Sequence, residues 1–388
     1  MTSKTRLIVL LASTPIIVLV LLGGLLNRVL AGQVTSYQHL KVFEDVVALV
    51  VSNYVEPVKN DRIMRGALRG LAEGLDADSA WLTPAEVGIA GRGQPPAKGW
   101  VGLELTRQYY LRVIAARDGS PAAKAGLATG DYIRAINGAP TREMSTWAGR
   151  QLLAGAPGSQ VTLTVLRGNA AEPRDIILVR QVPPDDTVTS RVVRPGVGLV
   201  RVAAFDDRTA GALRQQTIAL RKQGAEHLVV DLRRTADGAP ALGFAAARLF
   251  VAGGTLGSRE GRTVPRQVTS AASGDGMITL PVTLLTDNGT SQAAEVFAAA
   301  LKGNKRAVQV GERTLGRAAA QELVKLPDGS GLWLSTSRFL GPDGTAIHEK
   351  GLTPDTAVAE PDREFDAERS TADPILDKAL ELIAAKAA

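Results

Sequence analysis

Three features of the 388-residue sequence predict an exported α+β protein built from several domains. The chain begins with a long uncharged apolar run, continues with short strands over residues 100–182, and alternates strands with helices from residue 196 onward. Its 45% hydrophobic content suffices for more than one buried core. We therefore expect an N-terminal membrane helix, a helical segment, a compact strand-rich domain, and a larger α/β domain with a C-terminal helix.

The composition argues against several classes of function. The chain has no cysteine, which removes disulfides, thiolate catalysis and Cys-ligated metals. Its three histidines, His39, His227 and His348, are far apart and show no ligand spacing, so we expect neither a metal nor a cofactor. The formal charge of +6 is spread along the chain without basic runs, so nucleic-acid binding is not expected.

The N-terminal segment, residues 1–33, predicts where the protein resides. Lys4 and Arg6 precede the uncharged run 7–26, which matches the ~20 residues that span a bilayer as a helix. The positive flank favours a cytoplasmic N-terminus. The body would then lie in a periplasm or its equivalent, held by one signal-anchor helix in the inner (cytoplasmic) membrane. The alternative is a signal peptide cleaved near Val29-Leu-Ala31, which also exports the rest of the chain.

Hydrophobic periodicity divides the exported part into four further segments. Residues 34–90 are predicted to be helical, with a broad apolar face between Leu40 and Val51 and a capped turn from Leu75 to Pro84. A Gly/Pro-rich linker then precedes the strand-rich domain at 100–182. Residues 196–358 follow a βα pattern, and 359–388 end in an amphipathic helix that starts at Pro374.

The strand-rich domain resembles a PDZ domain in the order of its elements and in the run GSPAAKAGLATGDYIRAING at 119–138. The resemblance implies a groove between the strand at 102–105 and the helix at 144–153. A peptide adds there as an extra strand, and loop N–H groups hold its terminal carboxylate. The alternative is a closed module that only spaces its neighbours. The expected groove residues are Val101, Gly102, Leu103, Leu105, Trp147 and Leu152.

From about Tyr37 to Val358 the chain resembles the C-terminal processing peptidases, also called tail-specific serine peptidases. The segments VGLVRVAAF, LVVDLRR, VGERTLGR and KGLTPD occur in the order that this family has. The resemblance implies that 196–358 is a peptidase-like core. It also implies a serine–lysine dyad, in which a neutral lysine takes the proton of the attacking serine and a glutamine four residues later orients the lysine.

The residues that align with this dyad differ from the family pattern. Gln292 stands at the position of the nucleophile and Arg317 at that of the base, whereas the orienting glutamine is kept as Gln321. Asp237, followed by Gly238, replaces a glycine of the loop that contributes to the oxyanion hole. A carboxamide does not form acyl-enzymes, and an arginine stays protonated at any accessible pH. The resemblance and these replacements together predict a pseudopeptidase.

Such a protein is expected to act by binding. The expected partners are the C-terminal tails of proteins or peptides, an active peptidase relative, and a second copy of the chain in a homodimer. The first alternative is an active peptidase with Ser291 as a displaced nucleophile, although one residue along a helix turns a side chain by ~100°. The second alternative is a structural envelope protein whose PDZ groove is unused.

Overall fold

A computed structural model describes residues 38–91, 99–168, 172–360 and 372–387 of the protein. The predicted membrane segment 1–33 lies outside these residues. Within the described ranges, no helix combines the length and the apolar character that crossing a bilayer requires. The chain divides into two compact units, Met1–Gly70 and Leu71–Ala388.

The first unit contains helix α1, over 38–53, and most of helix α2, Asn60–Glu73. The helical prediction for 34–90 included a capped turn from Leu75 to Pro84, and a strand that was not predicted lies within that turn. Ala80–Leu82 forms strand β1, and only then does the short helix α3, Pro84–Ala90, follow. Thr83 starts α3 because its hydroxyl accepts from the Glu86 N–H while the Glu86 carboxylate accepts from the Thr83 N–H.

The PDZ-like domain is a sheet with the strand order β2-β3-β4-β6-β7, and β5 pairs with β4. Its core is formed by apolar side chains from the strands and from α5. The elements are β2 (Leu103–Gln108), β3 (Tyr110–Ala116), α4 (Pro121–Lys124), β4 (Tyr132–Ile136), β5 (Ala139–Pro140), α5 (Thr146–Leu153), β6 (Gln160–Leu166) and β7 (Arg174–Val179).

The C-terminal part of the chain, from residue 188 onward, contains two further sheets. Their elements are β8 (Val188–Arg194), β9 (Val197–Val202), α6 (Thr209–Lys222), β10 (His227–Asp231), α7 (Ala241–Ala247), β11 (Thr255–Glu260), β12 (Gln267–Ser270), β13 (Val282–Thr286), α8 (Ala293–Gly303), β14 (Ala307–Gly311), β15 (Ala319–Lys325), β16 (Gly331–Leu340), β17 (Thr356–Ala357) and α9 (Pro374–Ala387). Strands β8, β11, β12 and β17 were not predicted from the sequence.

The larger of these sheets has the order β17-β14-β13-β10-β9-β8 and is parallel except for the antiparallel edge strand β8. Alternation along β10 distributes its side chains between two cores. Leu228 and Val230 pack with residues of α6, α7 and α8, whereas Val229 packs with residues of α9. Both faces are therefore covered, which explains why β10 is apolar at consecutive positions.

The second sheet joins the β1 strand to the core. Its order is β1-β16-β11-β12, with β15 also paired to β16. Ala80 faces Trp333 in the antiparallel β1–β16 ladder. This ladder places the residues just before β1 beside the loop that leads into β15, where Arg317 lies.

Candidate active site

A sharp turn joins strand β13 to helix α8 and carries Gln292. The backbone of Gln292 has φ 59° and ψ −124°, a conformation that residues other than glycine rarely adopt. Its N–H donates to the carbonyl oxygen of Arg317 at 3.0 Å, and the N–H of Ser291 donates to Thr235 at 2.9 Å. The junction therefore has the strained strand–turn–helix geometry on which hydrolases place a nucleophile.

A buried carboxylate organises the start of this turn. Asp287 accepts hydrogen bonds from the N–H groups of Gly289 at 3.0 Å and Arg234 at 2.8 Å, and from the Thr290 hydroxyl at 3.1 Å. Burial raises the pKa of Asp287, and the nearby Arg234 charge opposes that rise. The turn and the loop after β10 are thus fixed to each other.

Helix α8 holds the loop that carries Arg317. The carboxylate of Glu295 is fully buried and accepts from the Thr314 hydroxyl at 2.5 Å, from Gly316 N–H at 2.6 Å and from Arg317 N–H at 2.7 Å. Burial raises the pKa of Glu295 to about 7, although these hydrogen bonds favour the charged form. The backbones of Gln292 and Arg317 are therefore held side by side.

The Arg317 side chain is buried and points toward the PDZ-like domain. Its Nε donates to Asp78 Oδ2 at 2.6 Å, its Nη2 donates to Asp78 Oδ1, and its Nη1 donates to the carbonyl oxygen of Leu105 at 2.9 Å. Among the described residues, no hydrogen bond joins this guanidinium to the Gln292 side chain. Gln321 binds Ser335 Oγ at 3.1 Å rather than Arg317. The structure therefore brings together the backbones of the aligned positions but not their side chains.

The loop after β10 contains the predicted residues Asp237 and Gly238. The Asp237 carboxylate lies 3.7 Å from the Arg117 guanidinium of the PDZ-like domain. Gly238 has φ 116°, and a Cβ there would lie 2.3 Å from the carbonyl oxygen of Phe205, so only glycine fits. Asp237, like Arg317, thus contacts the PDZ-like domain.

Ser291 and Lys302, the lysine of helix α8, do not form a second dyad in this structure. Ser291 is only 1% exposed, and its Oγ has no hydrogen-bond partner among the described residues. Lys302 forms an ion pair with Asp355 at 3.1 Å. A nucleophile needs both an accessible oxygen and a base within hydrogen-bonding distance, and Ser291 has neither here.

The predicted groove residues lie around β2 and α5. Val101, Leu103 and Leu105 are buried in the core of the PDZ-like domain, whereas Leu152 is partly exposed. Gly102 has φ 85°, and a Cβ there would clash with Ser120. Trp147 is 9% exposed because it packs against β1 and α3 in the cluster of Ala80, Leu82, Val87 and Trp147.

Sequence reasoning missed two residues of this site. Asp78 carried no signal beyond its place in a capped turn. Asp76 does cap that turn, accepting from the N–H groups of Asp78 at 2.8 Å and Ser79 at 2.7 Å. Glu295 stands in the first turn of an alanine-rich helix, and its being the single acidic residue among small apolar ones was the sequence signal that it binds a buried group.

The chain has clear similarity to known proteins. Residues 196–358 match the profile of peptidase family S41, and residues 112–167 match that of the PDZ domain. The chain is similar to the carboxyl-terminal-processing protease of Synechocystis, with 32% identity over 347 residues, 86% of this chain and 80% of that protein. It is also similar to the chloroplastic C-terminal processing peptidase of Tetradesmus obliquus, with 32% identity over 322 residues, 78% of this chain and 69% of that protein.

A solved structure is also similar to this chain, in both fold and sequence. A photosystem II D1 C-terminal processing protease superposes with a TM-score of 0.67 and 31% identity, over 79% of this chain and 84% of that one.

Proposed function

The chain belongs to peptidase family S41 and carries a PDZ domain, and from this premise we propose that it binds the C-terminal tails of proteins without cleaving them. In this proposal it is a pseudopeptidase that serves as an adaptor, a scaffold or a regulator. The tails bind to the PDZ domain, and an active relative is a further partner.

The observation that carries this proposal is the pair Gln292 and Arg317. The turn at Gln292 has a geometry suited to a nucleophile, but a carboxamide does not attack a peptide carbonyl to give an acyl-enzyme. A guanidinium is not a proton acceptor, and the nitrogens of Arg317 already donate to Asp78 and to the Leu105 carbonyl. Neither a nucleophile nor a proton acceptor is therefore available at these positions.

The second candidate function is an active serine peptidase, and the names of the relatives favour it, because they are called proteases. Ser291 would then have to be the nucleophile. That role requires Ser291 to leave its buried position and a base to approach it, so we rank this function second.

We extend the proposal to location and assembly. The uncharged run at 7–26 supports a single-pass anchor in the inner membrane with the body in the periplasm. Leu40 and Leu49 of α1 are 65% and 61% exposed, and apolar side chains left exposed in this way are typical of surfaces that associate. A homodimer through this helix would bury them.

A combined cleavage and binding assay tests the proposed function. The full chain in detergent is incubated with an unfolded substrate that has an apolar C-terminus, and with a fluorophosphonate probe that labels reactive serines. We expect no cleavage and no labelled serine, but binding of a labelled peptide that is lost when its C-terminal carboxylate is amidated. Labelling or cleavage that disappears in Ser291→Ala would show that the second candidate function is correct.

A further inference from the structure

Strand β2 is the edge strand of its sheet, and its unpaired edge is the place where a PDZ domain adds a peptide strand. Val113 faces Leu105 across the β2–β3 ladder, but the Val113 N–H donates to Asp131 at 2.8 Å and its carbonyl accepts from Gly130 at 2.9 Å. The N–H and C=O groups of Val113 therefore form their hydrogen bonds on the side of β3 that faces away from β2. Leu105 and Val113 are thus a non-hydrogen-bonded pair of the antiparallel ladder. The peptide groups of Leu105 must then point away from β3, toward the groove.

Arg317 occupies this edge. Its Nη1 donates to the Leu105 carbonyl, the group that a bound tail would need, while Nε and Nη2 bind the Asp78 carboxylate. A guanidinium can bind two partners in different directions because its donors form a planar fork, and an ammonium group on a flexible stem cannot reproduce that geometry. The three hydrogen bonds are buried, so solvent screens them little.

Helix α5 forms the other wall of the groove, and the segment Leu75–Leu82, which we call the cover segment, packs against it. The Thr146 hydroxyl at the start of α5 donates to the Ala77 carbonyl at 2.8 Å. Trp147, on the same helix, packs against residues of β1, the end of the cover segment. The β1–β16 ladder fixes this segment to the second sheet of the core. The cover segment is thus held between the core and the PDZ domain.

Two further ion pairs lie near the contacts that Arg317 and the cover segment make with the PDZ domain. Arg150 of α5 and Glu104 of β2 are 2.8 Å apart, so this pair spans the groove from one wall to the other. Asp237 and Arg117 form the weaker contact at 3.7 Å. Arg317 and Asp237, two charged residues that depart from the family pattern, therefore both contact the PDZ domain.

We infer that Arg317 is a latch that keeps the PDZ groove closed by binding Asp78 and the Leu105 carbonyl together. This inference rests on the proposed function, because it names how tail binding at that same groove is regulated. A tail can add to β2 only after Arg317 leaves Leu105. The apparent affinity for tails is reduced by the small fraction of molecules that are open.

Peptide binding and hydrogen exchange of the full chain test the latch. The first variant, Arg317→Lys, keeps the positive charge but lacks the planar guanidinium that binds both partners. The second, Asp78→Asn, keeps the size of the side chain and removes its negative charge. The control is Arg248→Lys, because Arg248 forms an ion pair with Asp275 at 2.8 Å in the α/β domain, where its side chain is partly exposed and does not contact the PDZ groove. The probe is a pool of fluorescein-labelled dodecapeptides that end in two apolar residues and a free carboxylate.

We expect both latch variants to bind the pool at least ~10-fold more tightly than the wild type, and the amides of Leu103–Arg107 to exchange at least ~10-fold faster without peptide. The control should match the wild type in both measurements. Unchanged exchange and unchanged affinity in a folded Asp78→Asn would overturn the latch. Faster exchange with no peptide bound by any variant would uphold the latch and contradict tail binding, so the two failures are distinguishable.

Discussion

At the scale of single residues, Glu295 shows how the site is held together. Its carboxylate is fully buried and joins helix α8 to the loop that carries Arg317 through three hydrogen bonds. Hydrogen bonds to the charged form lower the pKa of a carboxyl, while burial raises it, and burial prevails here with a pKa of about 7. The proton of Glu295 is therefore exchanged close to neutral pH.

We predict that Glu295 makes stability depend on pH between about 4.5 and 7. The pKa is higher in the folded protein than the ordinary 4.5, so the folded state binds the proton more tightly. The resulting stabilisation is complete below pH 4.5 and is lost as the pH rises through about 7. A difference of about 2.5 pKa units corresponds to about 3 kcal/mol.

Urea unfolding of the wild type and of Glu295→Gln at pH 5 and pH 8 measures this effect. The wild type should lose more of its free energy of unfolding between these pH values than the variant does, because the variant has no carboxyl at this position. An equal loss in both proteins would mean that other groups cause the pH dependence.

At the scale of elements, helices α7 and α8 pack together unusually closely at Gly243. A Cβ on Gly243 would lie 2.3 Å from the carbonyl oxygen of Ala293 and 2.8 Å from the Phe297 N atom, both in the backbone of α8. The sequence predicts α8 well, because its small apolar residues are periodic and uninterrupted. It does not predict which glycine of the preceding segment touches α8, because that contact depends on how two helices cross.

We predict that Gly243→Ala lowers the free energy of unfolding by ~1–3 kcal/mol, because the backbone of α8 cannot yield as a side chain would. The matched control is Gly211→Ala in helix α6, where no atom lies within 4 Å of the added Cβ. That control should raise stability by ~0.5–1 kcal/mol, since alanine is the better helix former. Chemical denaturation measures the free energy of unfolding of both variants and of the wild type. Equal changes in the two variants would contradict the close packing at Gly243.

At the scale of the whole molecule, the PDZ domain and the core are joined by several buried and partly buried contacts within the unit Leu71–Ala388. Arg201 of β9 binds Asp118 of the PDZ domain at 2.7 Å, and a Cβ on Gly289 would lie 2.8 Å from the carbonyl oxygen of Ile114 in β3. These contacts add to the Arg317 fork and to the cluster around Trp147. Such a network couples the unfolding of the two domains.

We predict that the PDZ domain and the core unfold together in urea. The chain has four tryptophans: Trp100 reports on the PDZ domain, Trp81 and Trp333 on the β1–β16 ladder, and Trp147 on the contact between the two. One variant keeps only Trp100 and a second keeps only Trp81 and Trp333, with phenylalanine at the other positions, so each has reporters in one region. In each variant the midpoint by fluorescence should equal the midpoint by far-UV circular dichroism. Two separated midpoints in either variant would show that the domains unfold independently.

Sequence reasoning placed most of the elements but misassigned those whose partners are distant. Ala80–Leu82 was expected in a capped turn and forms a strand, because its ladder partner is β16, about 250 residues further along the chain. The PDZ-like order of strands and the βα pattern were predictable, because each is a local repeat of apolar positions and turns.

The sequence by itself determined the family, the order of the domains and the chemistry of positions 292 and 317, since the reactivity of a carboxamide or a guanidinium is a property of the residue type. Only the tertiary structure decided which groups bind the Arg317 guanidinium. Asp78 and Leu105 belong to segments more than 200 residues earlier, and only folding brings them within hydrogen-bonding distance. A buried charge without a partner is strongly destabilising, so Arg317 requires one. The local sequence around Arg317 does not show which distant residue that partner is.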